Sequence, residues 1–110
     1  MTKEQFYAEL KRDLSALLGG ETNFIAALSN ASALLNERLD DVNWVGFYLM
    51  EGDQLVLGPF QGKIACVRIP VGKGVCGTAV AENRVQRVGD VHAFPGHIAC
   101  DAASNAEIVL

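Results

Sequence analysis

Three cysteines are the residues of this chain whose type suits redox or nucleophilic chemistry. Cys100 has His97 three residues before it and Asp101 directly after it, and an imidazole near a thiol favours the reactive thiolate. Cys76 lies in the first turn of a predicted helix, whose dipole should lower the pKa of the thiol. Cys66 lies in the middle of a predicted strand, where most cysteines are small buried apolar residues. The pattern therefore directs attention first to Cys100.

Two other kinds of chemistry compete for the same residues. Histidine and cysteine are the usual zinc ligands, so His92 and His97 together with the cysteines suggest a metal site. Their spacing does not match the CxxC, HxxxH or HExxH patterns of known sites. A serine nucleophile has less support, because a GxSxG motif is absent and Ser104 lies among small residues. We therefore predict neither a bound metal nor a cofactor.

Residues 72–77, with the sequence GKGVCG, match the GxGxxG pattern of dinucleotide-binding turns. The surrounding sequence argues against that function. Pro70 and Val71 interrupt the tight turn from strand to helix, and Asp90 is too close to bind a ribose. The simpler interpretation is a glycine-rich turn before a helix whose first N–H groups have no partner within the helix.

An aromatic pair and a carboxylate are candidate binding residues. Trp44 and Tyr48 share one face of a predicted strand with only Gly46 between them, which could leave a slot for a small flat or apolar group. Packing of both rings beneath a helix is an equal alternative. Glu107 opens the last predicted strand, near the Cys100 segment, and is a candidate acid or partner for an ammonium group.

Hydrophobic periodicity predicts the elements that position these residues. Helical spacing begins after Thr2, which forms a capping box with Gln5, and begins again after Thr22. From Asn43 the period changes to two, and residues 51–53 (EGD) resemble a hairpin turn. The predicted elements are helices over 2–18 and 22–39, strands over 43–50, 54–57 and 63–69, a helix over 75–82, and strands over 84–88 and 107–110. This order predicts an α+β fold with helices packed on one side of an antiparallel sheet.

Composition limits the classes of protein that fit. A chain of 110 residues that is 50% apolar can form one domain, over 1–110, but not two. Its net charge of −4 is the wrong sign for binding nucleic acid. No apolar stretch approaches the length of a membrane span, and the charged N-terminus is unlike a signal peptide. We therefore predict a cytoplasmic protein without nucleic-acid or membrane partners.

Four separated motifs together carry a family resemblance. They are NWVGFY (43–48), LGPFQGKIAC (57–66), GKGVCGTA (72–79) and HIACDAASNAEIV (97–109). With these motifs the chain resembles the free methionine-R-sulfoxide reductases, a branch of the GAF-domain fold. The resemblance implies a six-stranded antiparallel sheet with helices on one side and a closed pocket on the other. It also implies free L-methionine (R)-S-oxide as substrate and thioredoxin as reductant.

The resemblance also implies roles for single residues. Cys100 matches the nucleophile, and Cys66 matches the cysteine that resolves its sulfenic acid as a disulfide, with Cα atoms about 4.4 to 6.8 Å apart. Cys76 matches the third family cysteine, which could exchange roles with Cys66. Trp44 and Tyr48 match aromatic residues around the sulfoxide methyl. Glu107 matches a carboxylate at the polar end of the substrate.

The end of the chain departs from the family pattern. The last predicted strand begins at Glu107 and the sequence stops at Leu110, so we expect the last strands and the C-terminal helix to be missing. Ala106 stands where the family has serine. There are two alternative interpretations. The chain is a non-catalytic GAF module that binds a small ligand, or it is an inactive fragment of the reductase. The residues do not define an oligomeric state, and a homodimer stays open.

Overall fold

The computed structural model describes residues 1–90 and 107–110. These residues form three helices and five strands, in the α+β class that the sequence predicts. In chain order the elements are α1 (Lys3–Leu18), α2 (Phe24–Arg38), β1 (Trp44–Glu51), β2 (Gln54–Gly62), β3 (Arg68–Pro70), α3 (Gly74–Glu82), β4 (Gln86–Val88) and β5 (Glu107–Val109). None of the helices in this part of the chain is long and apolar enough to cross a lipid bilayer.

A first compact unit comprises Met1–Phe47 and Pro59–Gly62. Helix α1 begins at the predicted capping box, in which the Thr2 hydroxyl accepts from the Gln5 N–H and the Gln5 side chain accepts from the Thr2 N–H. Helix α2 is capped by Asn23 rather than by the predicted Thr22. The two helices pack together and bury Leu10 and Ala31 at their contact-forming faces.

A second compact unit comprises Tyr48–Gly58 and Lys63–Leu110. Strand β3 pairs antiparallel with β2, and the cross-strand partners Leu55 and Ile69 are both buried. Helix α3 packs against β3, β4 and β5, with Val75 and Ala79 buried. Strands β4 and β5 form an antiparallel pair in which Val88 lies opposite Glu107. Val75 and Ala79 of α3 therefore belong to the core of this unit, whereas Val80 is exposed.

The sheets of the described residues differ from the single six-stranded sheet that the resemblance implies. Strands β1, β2 and β3 form one sheet in that order, and β4 and β5 form another. The predicted hairpin between β1 and β2 is confirmed, and its turn contains Gly52 with φ +65°.

Strand β2 continues to Gly62, through the stretch that we predicted as a loop. Val56 of β2 pairs with Arg68 of β3, and the next residue, Leu57, donates its N–H to the Val67 carbonyl. Gly58, Pro59 and Gly62 are residue types that are typical of turns, so residues 58–62 resemble a loop in sequence although they lie in the strand. The local pattern therefore did not show that β2 continues through them.

Candidate functional site

Cys66 lies in the loop between β2 and β3, not in the middle of a strand as predicted. Its sulfur is disulfide-bonded. Its carbonyl oxygen accepts a hydrogen bond from the Tyr48 hydroxyl at 2.8 Å, and the next carbonyl, of Val67, accepts from the Leu57 N–H at 2.9 Å. Strand β3 begins two residues after Cys66 and comprises only Arg68–Pro70. The loop thus holds a disulfide-bonded cysteine whose own carbonyl is hydrogen-bonded to Tyr48.

Cys76 lies in the first turn of α3, as predicted, and its thiol is free. Burial, together with the smaller effect of the negative charge of Glu107, raises the pKa of this thiol to about 11. The prediction that the helix dipole lowers the pKa is therefore wrong. The first turn of α3 is buried at Gly74, Val75 and Gly77, and burial disfavours the charged thiolate. Cys76 remains a protonated thiol at neutral pH.

Tyr48, Cys76 and Glu107 lie close enough for their charges to interact. Burial raises the pKa of the Tyr48 phenol, and the charges of Cys76 and Glu107 raise it further. Helix α3 packs on β5, which brings Cys76 to the strand that carries Glu107. Glu107 also lines a surface depression with Arg87 and Gly89. The structure thus unites one predicted aromatic residue, one cysteine and the predicted carboxylate.

Trp44 has a packing role that fills the predicted slot. Its indole stacks on the Phe60 ring, with centroids 5.4 Å apart and planes 16° from parallel. A Cβ added at Gly46 would lie 2.8 Å from Trp44 Cη2 and 2.3 Å from Phe60 Cβ. The space over Gly46 is therefore occupied by these two side chains. The ring of Trp44 therefore packs on β2, which is neither the open slot nor the packing beneath a helix that the sequence left as alternatives.

The glycines of residues 72–77 are used by the turn itself. Gly72 and Gly74 have φ of +89° and +63°, which favour glycine, and the Gly72 N–H donates to the Gly77 carbonyl at 2.8 Å. A Cβ at Gly77 would lie 2.6 Å from the Pro70 carbonyl oxygen. These contacts explain the GxGxxG pattern without a dinucleotide.

Several predicted residues lie outside the described part of the chain. They are His92, His97, Cys100, Asp101, Ser104 and Ala106. Within residues 1–90 and 107–110, His, Cys, Asp and Glu side chains form no group of three or more that could hold a metal ion.

The bond from Tyr48 to the Cys66 carbonyl is the feature of the site that sequence reasoning missed. The two residues are 18 positions apart, and the contact depends on how the sheet is assembled rather than on a local pattern. The antiparallel hairpin at residues 51–53 was the available signal, because it brings the second half of β1 beside the start of β2. It could not show that the loop after β2 brings the Cys66 carbonyl to the Tyr48 hydroxyl.

The α+β arrangement of the described residues resembles that of GAF domains. The chain matches a solved GAF domain with a TM-score of 0.90 and 44% sequence identity, over 98% of this chain and 65% of that chain. The GAF-like fold that the sequence predicts is therefore confirmed. No protein-family model matches the chain.

Closer relatives narrow this class to one family. The free methionine-R-sulfoxide reductase of Escherichia coli (strain K12) is 74% identical over 110 residues, which are 100% of this chain and 67% of that protein. The structure of free methionine-R-sulfoxide reductase from Neisseria meningitidis in complex with its substrate has a TM-score of 0.93 and 45% identity, over 98% of this chain and 65% of that chain. This chain belongs to the free methionine-R-sulfoxide reductase family, as its four motifs predict.

Proposed function

We propose that this protein reduces free L-methionine (R)-S-oxide to L-methionine, the activity after which its Escherichia coli and Neisseria meningitidis relatives are named. Cys100 is the proposed nucleophile, Cys66 the resolving cysteine and thioredoxin the reductant. The observation that carries the proposal is the state of the cysteines, since Cys66 is disulfide-bonded whereas Cys76 is a free thiol. The proposed mechanism needs a cysteine that can enter a disulfide, which Cys66 does, whereas a ligand-binding module without turnover does not need one.

The proposed reaction balances over three steps. The Cys100 thiolate attacks the sulfoxide sulfur, the oxygen takes up a proton and is transferred to the cysteine as a sulfenic acid, and methionine leaves as the reduced thioether. The Cys66 thiolate then attacks the sulfenic sulfur, and the displaced hydroxide leaves as water after gaining a proton. A dithiol reductant such as thioredoxin opens the disulfide, so it supplies the two electrons that the sulfoxide has accepted.

The different states of Cys66 and Cys76 support the division of roles between them. A resolving thiol must be ionised to attack, and a pKa of about 11 leaves Cys76 protonated at neutral pH. Cys66 lies in an anchored loop and is already in a disulfide. We therefore propose that Cys76 does not resolve the sulfenic acid.

Substrate recognition is proposed for three residues. A carboxylate such as Glu107 can pair with the ammonium group of a free amino acid, which a methionine inside a peptide lacks. Trp44 and Tyr48 offer apolar ring surface for the methyl and side-chain carbons. Such recognition would select the free amino acid over methionine sulfoxide in a protein.

The proposed activity is tested by coupling the protein to thioredoxin, thioredoxin reductase and NADPH. Addition of free L-methionine (R)-S-oxide should start NADPH consumption, whereas the S epimer and an acetylated, amidated methionine sulfoxide should not. Binding of the R epimer without NADPH consumption would instead identify a sensor module. Absence of both would contradict the proposal.

Cysteine variants test the assigned roles. Cys100→Ser should abolish methionine production, and Cys66→Ser should release about one equivalent per protein and then stop, because the sulfenic acid cannot be resolved. Single-turnover methionine release, measured by chromatography, provides the readout. If Cys76→Ser rather than Cys66→Ser stopped after one equivalent, Cys76 would be the resolving cysteine. Steady turnover of Cys100→Ser would remove the proposed nucleophile.

Three further predictions accompany this function. The first is a single domain over residues 1–110. The second is a location in the cytoplasm, where thioredoxin-type reductants keep thiols reduced. The third concerns the assembly state, for which a homodimer is the candidate. Size-exclusion chromatography with light scattering tests the assembly state.

A further inference from the structure

The backbone of Cys66 is held by a side chain from another strand. The Tyr48 hydroxyl donates to the Cys66 carbonyl oxygen at 2.8 Å. Tyr48 lies on β1, whereas Cys66 lies in the loop that follows β2. The loop leads from β2 into β3, and β2 lies between β3 and β1 in the sheet. The phenol therefore links the loop to β1, a strand that is not adjacent to β3. The hydrogen bond is therefore a tertiary restraint on the cysteine itself.

The loop is anchored at one end and open at the other. Directly after Cys66, the Val67 carbonyl accepts from the Leu57 N–H at 2.9 Å. Before Cys66, Lys63 is exposed and the side chain of Ile64 is 90% exposed. Two successive carbonyls are thus fixed, one by a side chain and one by the sheet. Of these two bonds, only the one from Tyr48 reaches the cysteine.

The Tyr48 hydroxyl is well suited to remain a donor. It is half-buried, and burial with the nearby charges of Cys76 and Glu107 raises the pKa of the phenol above its ordinary value. The phenol therefore keeps its proton at neutral and moderately alkaline pH. A phenylalanine at this position would retain the ring and remove only the donor.

We propose that Tyr48 is a positioning residue for the redox cysteine, whose hydroxyl holds the Cys66 backbone in the conformation in which its sulfur forms the disulfide. The inference rests on the proposed function, in which Cys66 resolves a sulfenic acid. In that step the Cys66 thiolate bonds to the partner sulfur and displaces hydroxide, which leaves as water. Loop conformations without the Tyr48 bond compete with the reactive one in the dithiol form, and the hydrogen bond lowers their population.

A disulfide equilibrium distinguishes this positioning role from a merely structural one. A hydrogen bond that only stabilised the fold would act equally in the dithiol and disulfide forms and would leave their equilibrium unchanged. A bond that selects the loop conformation favours the disulfide form, because the dithiol form alone can leave that conformation. The equilibrium constant against a small dithiol is therefore the quantity to measure.

The experiment equilibrates the purified protein with mixtures of reduced and oxidised dithiothreitol, without methionine sulfoxide. The thiols are trapped by acid and alkylation, and the alkylated cysteines are identified by peptide mass. Tyr48→Phe should shift the Cys66 equilibrium toward the dithiol by about fivefold, the factor expected for one ordinary hydrogen bond. The matched control is Tyr7→Phe, which removes the hydroxyl of an exposed tyrosine on α1 and should cause no shift.

The outcomes separate this inference from the proposed function. An unchanged equilibrium in Tyr48→Phe would overturn the positioning role, as would an equal shift in Tyr7→Phe. Because the measurement uses no substrate, a protein that failed to reduce methionine sulfoxide would contradict the proposed function and still give a readable equilibrium. A fivefold shift in such a protein would support positioning of Cys66 for a different oxidant.

Discussion

At Cys76 two physical effects act on one thiol in opposite directions. The N-terminus of α3 carries a positive partial charge that favours the thiolate. The surrounding residues remove the sulfur from water and Glu107 adds a negative charge, and both favour the protonated thiol. The pKa is raised to about 11, and burial is the larger of its two causes. The position of Cys76 at a helix N-terminus is therefore not sufficient to make it a reactive thiolate.

This balance predicts low reactivity for Cys76. With a pKa of about 11, about one thiol in a thousand is ionised at pH 8, so alkylation by iodoacetamide should be slow and should accelerate up to about pH 11. Glu107→Gln should lower the pKa of Cys76 but leave it above the ordinary value, because burial is the larger cause. The rate of modification of the Cys76 peptide against pH measures both effects.

The control for this titration is Asp53→Asn, which removes an exposed carboxylate at the β1–β2 turn and should leave the Cys76 profile unchanged. Rapid modification at pH 7 in the folded protein would contradict the protonated thiol. The raised pKa of Cys76 also makes the free energy of unfolding depend on pH. A thiol whose pKa is raised in the folded state contributes stability below its unfolded pKa, near 9, and that contribution is lost as pH rises toward 11.

At the scale of elements, the turn before α3 is hydrogen-bonded to the start of the helix. Lys73 N–H donates to the Pro70 carbonyl and Gly72 N–H to the Gly77 carbonyl, so the turn and the first helical turn share their polar groups. Gly77 lies so near the Pro70 carbonyl that a side chain would have to displace backbone. Gly72 has open space around it and is required only for its φ of +89°. Two glycines of one motif thus serve different purposes.

Alanine substitutions should separate these two purposes. Gly77→Ala should lower the free energy of unfolding by about 3 kcal/mol, because the backbone cannot move aside cheaply. Gly72→Ala should cost about 1 to 2 kcal/mol, the strain of a left-handed alanine. Urea denaturation measures both. Equal losses, or a larger loss at Gly72, would contradict the close contact at Gly77.

Helix α2 carries a second element-scale prediction at Ser32, which is fully buried. Its hydroxyl lies 2.9 Å from the Leu28 carbonyl and 3.3 Å from the Pro59 carbonyl of β2. Ser32→Ala should cost about 1 to 2 kcal/mol, because it removes the donor from buried carbonyls. Ser29→Ala removes a similar bond, to the Ile25 carbonyl, on the exposed face and should change stability by less than about 0.5 kcal/mol. Equal effects in denaturation curves would contradict the role of burial.

At the scale of the whole molecule, the disulfide of Cys66 links redox state to stability. A disulfide reduces the conformational entropy of the unfolded chain, and longer closed loops give larger effects. The proposed pairing with Cys100 would close a loop that includes α3 and β4. Oxidation should therefore stabilise the protein against unfolding, and reduction should return the chain to a more easily unfolded state.

Reduction should lower the free energy of unfolding by on the order of 3 to 4 kcal/mol for a loop of this size. Thermal unfolding with and without dithiothreitol measures the difference as a shift in Tm. Cys66→Ser provides the control, since its Tm should not respond to the reductant, whereas Cys76→Ser should retain the response. A response of the Cys66→Ser protein equal to that of the wild type would contradict the assignment of this disulfide.

The sequence by itself determined the features that depend on neighbouring residues. The capping box of Thr2 and Gln5 and the hairpin turn at Gly52 follow local patterns, and the structure confirms them. The helix after the glycine-rich turn is also present, and it begins at Gly74, one residue before the predicted start. Four motifs spread along the chain also identified the family correctly. Caps, turns and periodic apolar faces act within a few residues, so they are present in the sequence itself.

Only the tertiary structure decided the surroundings of the site residues. It extends β2 through Pro59, leaves Cys66 in a loop, and fills the space over Gly46 with the Trp44 ring. It also brings Glu107 near Cys76 and joins Tyr48 to Cys66. Burial and charge depend on residues far apart in the sequence. A pattern therefore indicates which residue types are available, whereas the packed chain sets the pKa values and hydrogen-bond partners that govern their chemistry.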